Sequence, residues 1–152
     1  MIYSLMVYGI TVWGGVLQCT AAAGTLISLQ RRIVNSLFGR YHVGSGCKFK
    51  AMSLLKINDL HRFYAAIYMF KIMKLSQCPT VKEGLNLRVP EHSYETRHRS
   101  LLIPPFPRVI PVRLGYEFQF LTIWNSLPDN LKSLTSLKCF KRALHCNFIE
   151  SY

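Results

Sequence analysis

The sequence predicts a mainly α fold, a small helical domain of about four to five helices, with a Pro-rich extended arm between residues 85 and 120 that has room for one short β-hairpin. Three observations carry this reading. Apolar residues recur at helical spacing near both ends of the chain, half of the 152 residues are apolar, and five of the seven prolines crowd into 90–111. The spacing gives amphipathic helices, and the apolar content suffices for one core. The prolines exclude a regular helix or central strand, because proline fixes φ and lacks a backbone donor.

Residues 1–13 read as an apolar helix stopped by Gly14-Gly15, since glycine suits the left-handed position beyond a helix end. Tyr8 and Gly9 face the core in this reading, with Gly9 allowing close helix approach. A second helix runs from about Thr20 to Phe38, with Leu26, Leu29, Ile33 and Leu37 on one face and Arg31 and Asn35 opposite. Gly39 closes it, and the basic segment GRYHVGSGCKFK follows as a flexible loop. A short helix over about 48–56 leads to a longer one over about 59–75, which Asn58 or Asp59 can cap by accepting an orphan amide. That longer helix has no charge between Arg62 and Lys71, which makes it the buried centre of the domain, and Pro79 marks its end. The last helix begins near Thr135, with Leu137, Phe140, Leu144 and Phe148 on one face. The organisation is then a helical core over 1–78, a Pro/Arg-rich arm over 79–115, and a WNSLP turn with a C-terminal helix over 116–152, packed as one domain.

Nineteen Lys and Arg against seven Asp and Glu give a formal charge of +12. Such an excess argues for a polyanionic partner, a nucleic-acid backbone first and an acidic membrane face next, against the plain alternative of solvated helix faces. Arg31 to Lys56 holds six positive charges and no negative one, and supplies Arg31, Arg32, Arg40, Lys48 and Lys50 as candidate phosphate contacts. The arm adds Arg97, Arg99, Arg108 and Arg113, with no acidic residue from Thr96 to Tyr116. Arg97 and Arg99, interleaved with His92, Tyr94 and His98, form the best patch, pairing forked phosphate donors with a stacking ring. Trp13 and Trp124 can stack on bases, but their aliphatic neighbours favour burial. Asn125 reads as a turn or capping residue rather than a base reader, and Lys141 and Arg142 as surface charges.

The first thirty residues carry no charge, and MIYSLMVYGITVWGGVL is seventeen residues long, the lower edge of a membrane span. Three glycines and several polar residues weaken it, so a buried helix is preferred, with a single-span membrane protein over 1–17 as the alternative. The run lacks the basic start of a secretory signal, so the expected compartment is nuclear or cytoplasmic and not secreted. Five cysteines, an odd number without a CxxC pair, read as reduced thiols. Cys139, His145 and Cys146 lack a fourth ligand, so neither a metal nor a cofactor is expected.

FLTIWNSLPDNLKSLTSLKCFKRAL at 120–144, with Trp124, Asn125, Leu127, Pro128, Phe140 and Lys141, resembles the closing segment of the reverse transcriptase (RNA-directed DNA polymerase) of non-LTR, LINE-type, jockey-like retrotransposons. Other segments resemble the same family in the same order. YGITVWGG carries Tyr8, Gly9, Trp13 and Gly14, and SLQRRIVNSLFG carries Gln30. LLKINDLHRFYAAIYMFKI and then HSYETR follow, the latter with His92, Tyr94, Thr96 and Arg97. The resemblance covers almost the whole chain and implies a helical region downstream of the polymerase core, beginning inside a helix that Met1 truncates. It also implies two partners, RNA or DNA held non-specifically, and the absent polymerase core or another protein against an exposed apolar face. The family's Gly-Pro-basic-aliphatic element before the Trp is replaced by Phe120-Leu121-Thr122-Ile123, and the Arg-Thr pair of the Pro-rich stretch is missing, as suits a degenerating copy or a divergent clade. Catalysis does not carry over. The family's polymerase holds two divalent ions on an aspartate pair and a further carboxylate. This chain has only Asp59 and Asp129, and no adjacent acidic pair, so no enzyme activity is expected.

Overall fold

The computed structural model describes residues 4, 7–17, 20–38, 44–75, 102 and 115–152. All regular structure among them is helical: α1 (Ile10–Leu17), α2 (Ala21–Phe38), α3 (Ser45–Ala51), α4 (Ile57–Leu75), α5 (Tyr116–Ser126), α6 (Asp129–Lys132) and α7 (Leu137–Glu150). The mainly α class therefore holds. The arm from 85 to 114 falls outside the described residues apart from Leu102, whereas 116–120, expected to close the arm, belong to α5.

Helix α4 is the axis, as its uncharged centre predicts. Leu60, Ala65, Ala66, Met69 and Phe70 are fully buried, and α1, α5 and α7 all pack on it. Two apolar clusters lie along its length. The larger joins Phe70, Leu121, Trp124, Leu131, Phe140 and Leu144, with the Phe70 and Phe140 rings stacked at 4.4 Å. The smaller joins Ile10, Leu55, Ile57 and Leu60. Phe140 and Leu144 are the buried members of the face expected on the last helix, which starts at Leu137.

The amino-terminal helix is not stopped where expected. Gly14 and Gly15 lie inside α1, and the break comes at Gly9, whose φ of +63° is the left-handed conformation glycine tolerates. Gly14 instead lets α1 and α4 touch, since a Cβ there would stand 2.5 Å from His61 Cδ2. Tyr8 is correspondingly not core-facing: it is 83% exposed, and its carbonyl accepts a hydrogen bond from Trp13 Nε1 at 2.7 Å.

The buried face of α2 is also turned from the expected one. Gln30 and Val34 are buried, while Leu29 and Leu37 stand in solvent. Periodicity alone cannot see why: the Gln30 amide donates to Leu55 O at 2.8 Å and accepts from Ile57 N at 3.0 Å, closing two backbone groups that the loop before α4 leaves open. This remote glutamine serves the start of α4, so Asn58 and Asp59 lie within the first turn of the helix instead of capping it.

Helix α3 ends at Ala51, short of the expected 56. Leu54 N bonds Phe49 O and Ser53 N bonds Lys50 O, at 3.0 Å each, with Ser53 left-handed at φ 51°. This is a Schellman end built on serine, so no glycine announces it.

The WNSLP stretch is less a turn than a helix end. Trp124, Asn125 and Ser126 finish α5, Leu127 is buried, and Pro128 leads into α6 with φ −64°. Asn125 does not cap this turn. Its side chain accepts from Leu102 N at 3.0 Å and donates to Leu102 O at 2.7 Å, holding that point of the arm against α5.

Candidate nucleic-acid interface

Helix α2 offers two cations side by side. Arg31 and Arg32 follow Gln30, and because Gln30 is turned inward, both arginines point into solvent. Lys50 is exposed on α3 and Arg62 on α4. Arg31 and Arg62 meet across a cleft of about 230 Å³, which Lys56, Asn58 and Asp59 also line and whose apolar wall is Ile27 and Phe49. Arg32 lies apart from it, in a more open groove along α2 with Gly24, Thr25 and Leu29.

The end of the chain fixes one wall of the cleft. The Tyr152 hydroxyl accepts from Lys56 N at 2.8 Å and donates to Asp59 Oδ2 at 2.8 Å. The Lys56 ammonium sits 3.8 Å from the centroid of the same ring, a cation–π contact. Asp59 is thereby engaged by a neutral phenol. Among the described residues the one ion pair within 4 Å is Lys132 with Asp129, elsewhere on the molecule. Among the described residues three cations thus share the cleft with a single carboxylate, and none forms an ion pair with it.

Other expected contacts stand differently. Lys48 is withdrawn from any phosphate: it is only 7% exposed, and its ammonium donates to Asn35 Oδ1 at 2.9 Å, tying α3 to α2. Arg40, Arg97, Arg99, Arg108 and Arg113 lie outside the described residues, as do His92, Tyr94 and Thr96. Trp124 is buried beside Phe140 and offers no free stacking face, whereas Trp13 is half-buried against the smaller cluster with its indole N–H committed to Tyr8 O. Lys141 and Arg142 are exposed on α7.

Two members of the cleft, Lys56 and Arg62, escaped the sequence reading as site residues. The signal was present in part: Arg62 follows Asn58 by four positions and Asp59 by three, which places them on one helix face. Its meeting with Arg31 needs the packing of α2 on α4.

Family models, curated proteins and solved structures offer no match to this chain.

His61 is a buried titratable group on α4. It is 2% exposed, its Nδ1 has no partner among the described residues, and burial, aided by the Arg62 charge, pushes its pKa below the ordinary 6.5. Cys47, Cys139 and Cys146 are free and exposed, and among the described residues no three His, Cys, Asp or Glu side chains gather to hold a metal. Nor is any described helix long and apolar enough to cross a membrane; α1, in the segment of the alternative span, has eight residues.

Proposed function

We propose that this chain is the non-catalytic closing part of a protein related to non-LTR retrotransposon reverse transcriptases, and that it holds RNA or DNA by non-specific phosphate contacts in a nuclear or cytoplasmic setting. The observation that carries the binding reading is the set Arg31, Arg32, Lys50 and Arg62, exposed and without an ion pair among the described residues. Positive side chains that no described carboxylate pairs with are available to displace counterions from a phosphate backbone. The family reading is supported by what the shared motif residues do. Gln30 joins α2 to the start of α4, Gly14 admits His61, and Trp124, Leu127 and Phe140 build the larger core. A signature retained for folding needs residues in such places.

Salt titration tests the binding. With about six basic residues engaged on duplex, log affinity falls with log salt at a slope of about −5. A flat titration, or no binding to RNA or DNA at low salt, overturns the reading. Primer extension with divalent ions is expected to give no product.

A second role is favoured by the apolar exposure of Tyr8 at 83%, Val12 at 80% and Leu37 at 66%: side chains open to a polymerase core or another protein. A monomer that binds no hydrophobic dye counts against it.

A further inference from the structure

We infer that the cleft between α2 and α4 seats the terminal phosphate of a nucleic-acid strand, a phosphomonoester at either end, and not merely the internal backbone. The inference rests on the nucleic-acid reading above and sharpens it to one place on the molecule.

Size comes first. A cleft of about 230 Å³ has room for a phosphate and part of its nucleoside, whereas a duplex can only lie across its mouth. Charge comes second. Arg31, Lys56 and Arg62 face it with Asp59 as the single opposing carboxylate among the described residues, which leaves an excess of two positive charges there. An internal diester carries one negative charge, and a terminal monoester carries about 1.5 to 2 near neutral pH. The monoester is the better match.

Preorganisation comes third. Lys56 is held over the Tyr152 ring while the same tyrosine engages Asp59, so the carboxylate is kept from pairing with the ammonium. Arg31 and Arg62 bring forked donors from two different helices, which suits three phosphate oxygens approached from two sides. Asn58 adds an amide at the rim, and the adjoining amino end of the nineteen-residue α4 contributes the positive end of its dipole. Ile27 and Phe49 give the nucleoside an apolar wall.

The test is fluorescence anisotropy on the full chain, with one single-stranded oligonucleotide bearing either a hydroxyl or a phosphate, at the 5′ end in one pair and the 3′ end in another. At least one phosphate-ended strand is expected to bind about tenfold tighter than its hydroxyl twin, the scale of one charge-assisted contact. Arg31→Gln and Arg62→Gln should each abolish that advantage. Arg32→Gln, outside the cleft, should weaken both strands alike and keep the ratio. All three positions are exposed, so the fold should be unaffected, and thermal melts of the variants are the control for that. Equal affinity for phosphate and hydroxyl ends overturns the inference, as does an advantage that survives both Arg31→Gln and Arg62→Gln. If the hydroxyl-ended strand still binds with a steep salt dependence while the ratio is one, this inference fails and the broader reading stands. If only phosphate-ended strands bind, the cleft stands and the broad surface fails.

Discussion

The two ends of α4 are built by different means. Around Phe70 the helix enters a dry cluster in which Phe140 stacks on Phe70 and Trp124 leans on Phe140. Around Ile57 the apolar cluster has only four fully buried members, and polar side chains complete the join: Gln30 on the backbone of Leu55 and Ile57, and Tyr152 on Lys56 and Asp59. Where aliphatic and aromatic area is plentiful, packing holds the helices together, and Asn125 adds a polar clasp only to Leu102 of the arm. Where it is scarce, side chains from distant helices satisfy backbone groups that would otherwise be buried unpaired. The candidate cleft lies at the second end, where polar groups are already in place.

The largest effect is expected from the dry end. Phe140→Ala removes a fully buried ring from the centre of its cluster and should cost about 3–5 kcal/mol in denaturant unfolding. Gln30→Ala probes the polar end. It strips partners from Leu55 O and Ile57 N, both in residues at most 1% exposed, and should cost about 2–4 kcal/mol. If Gln30→Ala proves neutral, the contrast between the two ends is lost.

A paired substitution sharpens the account of α1. Gly14→Ala drives a methyl into the His61 ring and should cost about 1–3 kcal/mol, in part offset by alanine's better helix propensity. Gly15→Ala meets only the end of the Gln119 side chain, at 2.7 Å, which can swing aside, so it should be near neutral by thermal melting.

The same contact predicts a pH dependence. His61 has a folded pKa below its ordinary 6.5, so the unfolded chain takes the proton first. Its stabilising contribution is whole above about pH 6.5 and is lost as pH falls from there through the lowered folded pKa, at no more than about 1.4 kcal/mol per pH unit. A His61→Phe variant should flatten that slope between pH 6.5 and 5 in urea titrations. An unchanged slope removes the assignment. A gain is expected only from Ser53→Gly, which relieves a left-handed serine and should raise stability by about 1 kcal/mol.

Much of the helical plan was legible. The uncharged run in α4 announced a buried axis, and Phe140 and Leu144 announced the inward face of α7. Helix ends and the rotation of α2 were not, because one cause lies far along the chain and another is a residue that does not advertise its role. Gln30 acts on residues 25 and 27 positions away, and Ser53 ends a helix without the glycine that usually marks it. Of the candidate site, Arg31 was visible as an exposed cation, whereas the cleft depends on Arg62 and Lys56 meeting it across two helices.

The order of apolar and charged residues by itself determined that this protein is helical, that α4 is its centre and that its charge is strongly positive, because periodicity and composition are local or additive properties. Tertiary structure alone decided which glycine bends and which packs, which face of α2 turns inward, and which cations share a cleft. Those outcomes depend on satisfying buried backbone groups and filling space between segments distant in sequence, and no local pattern encodes either.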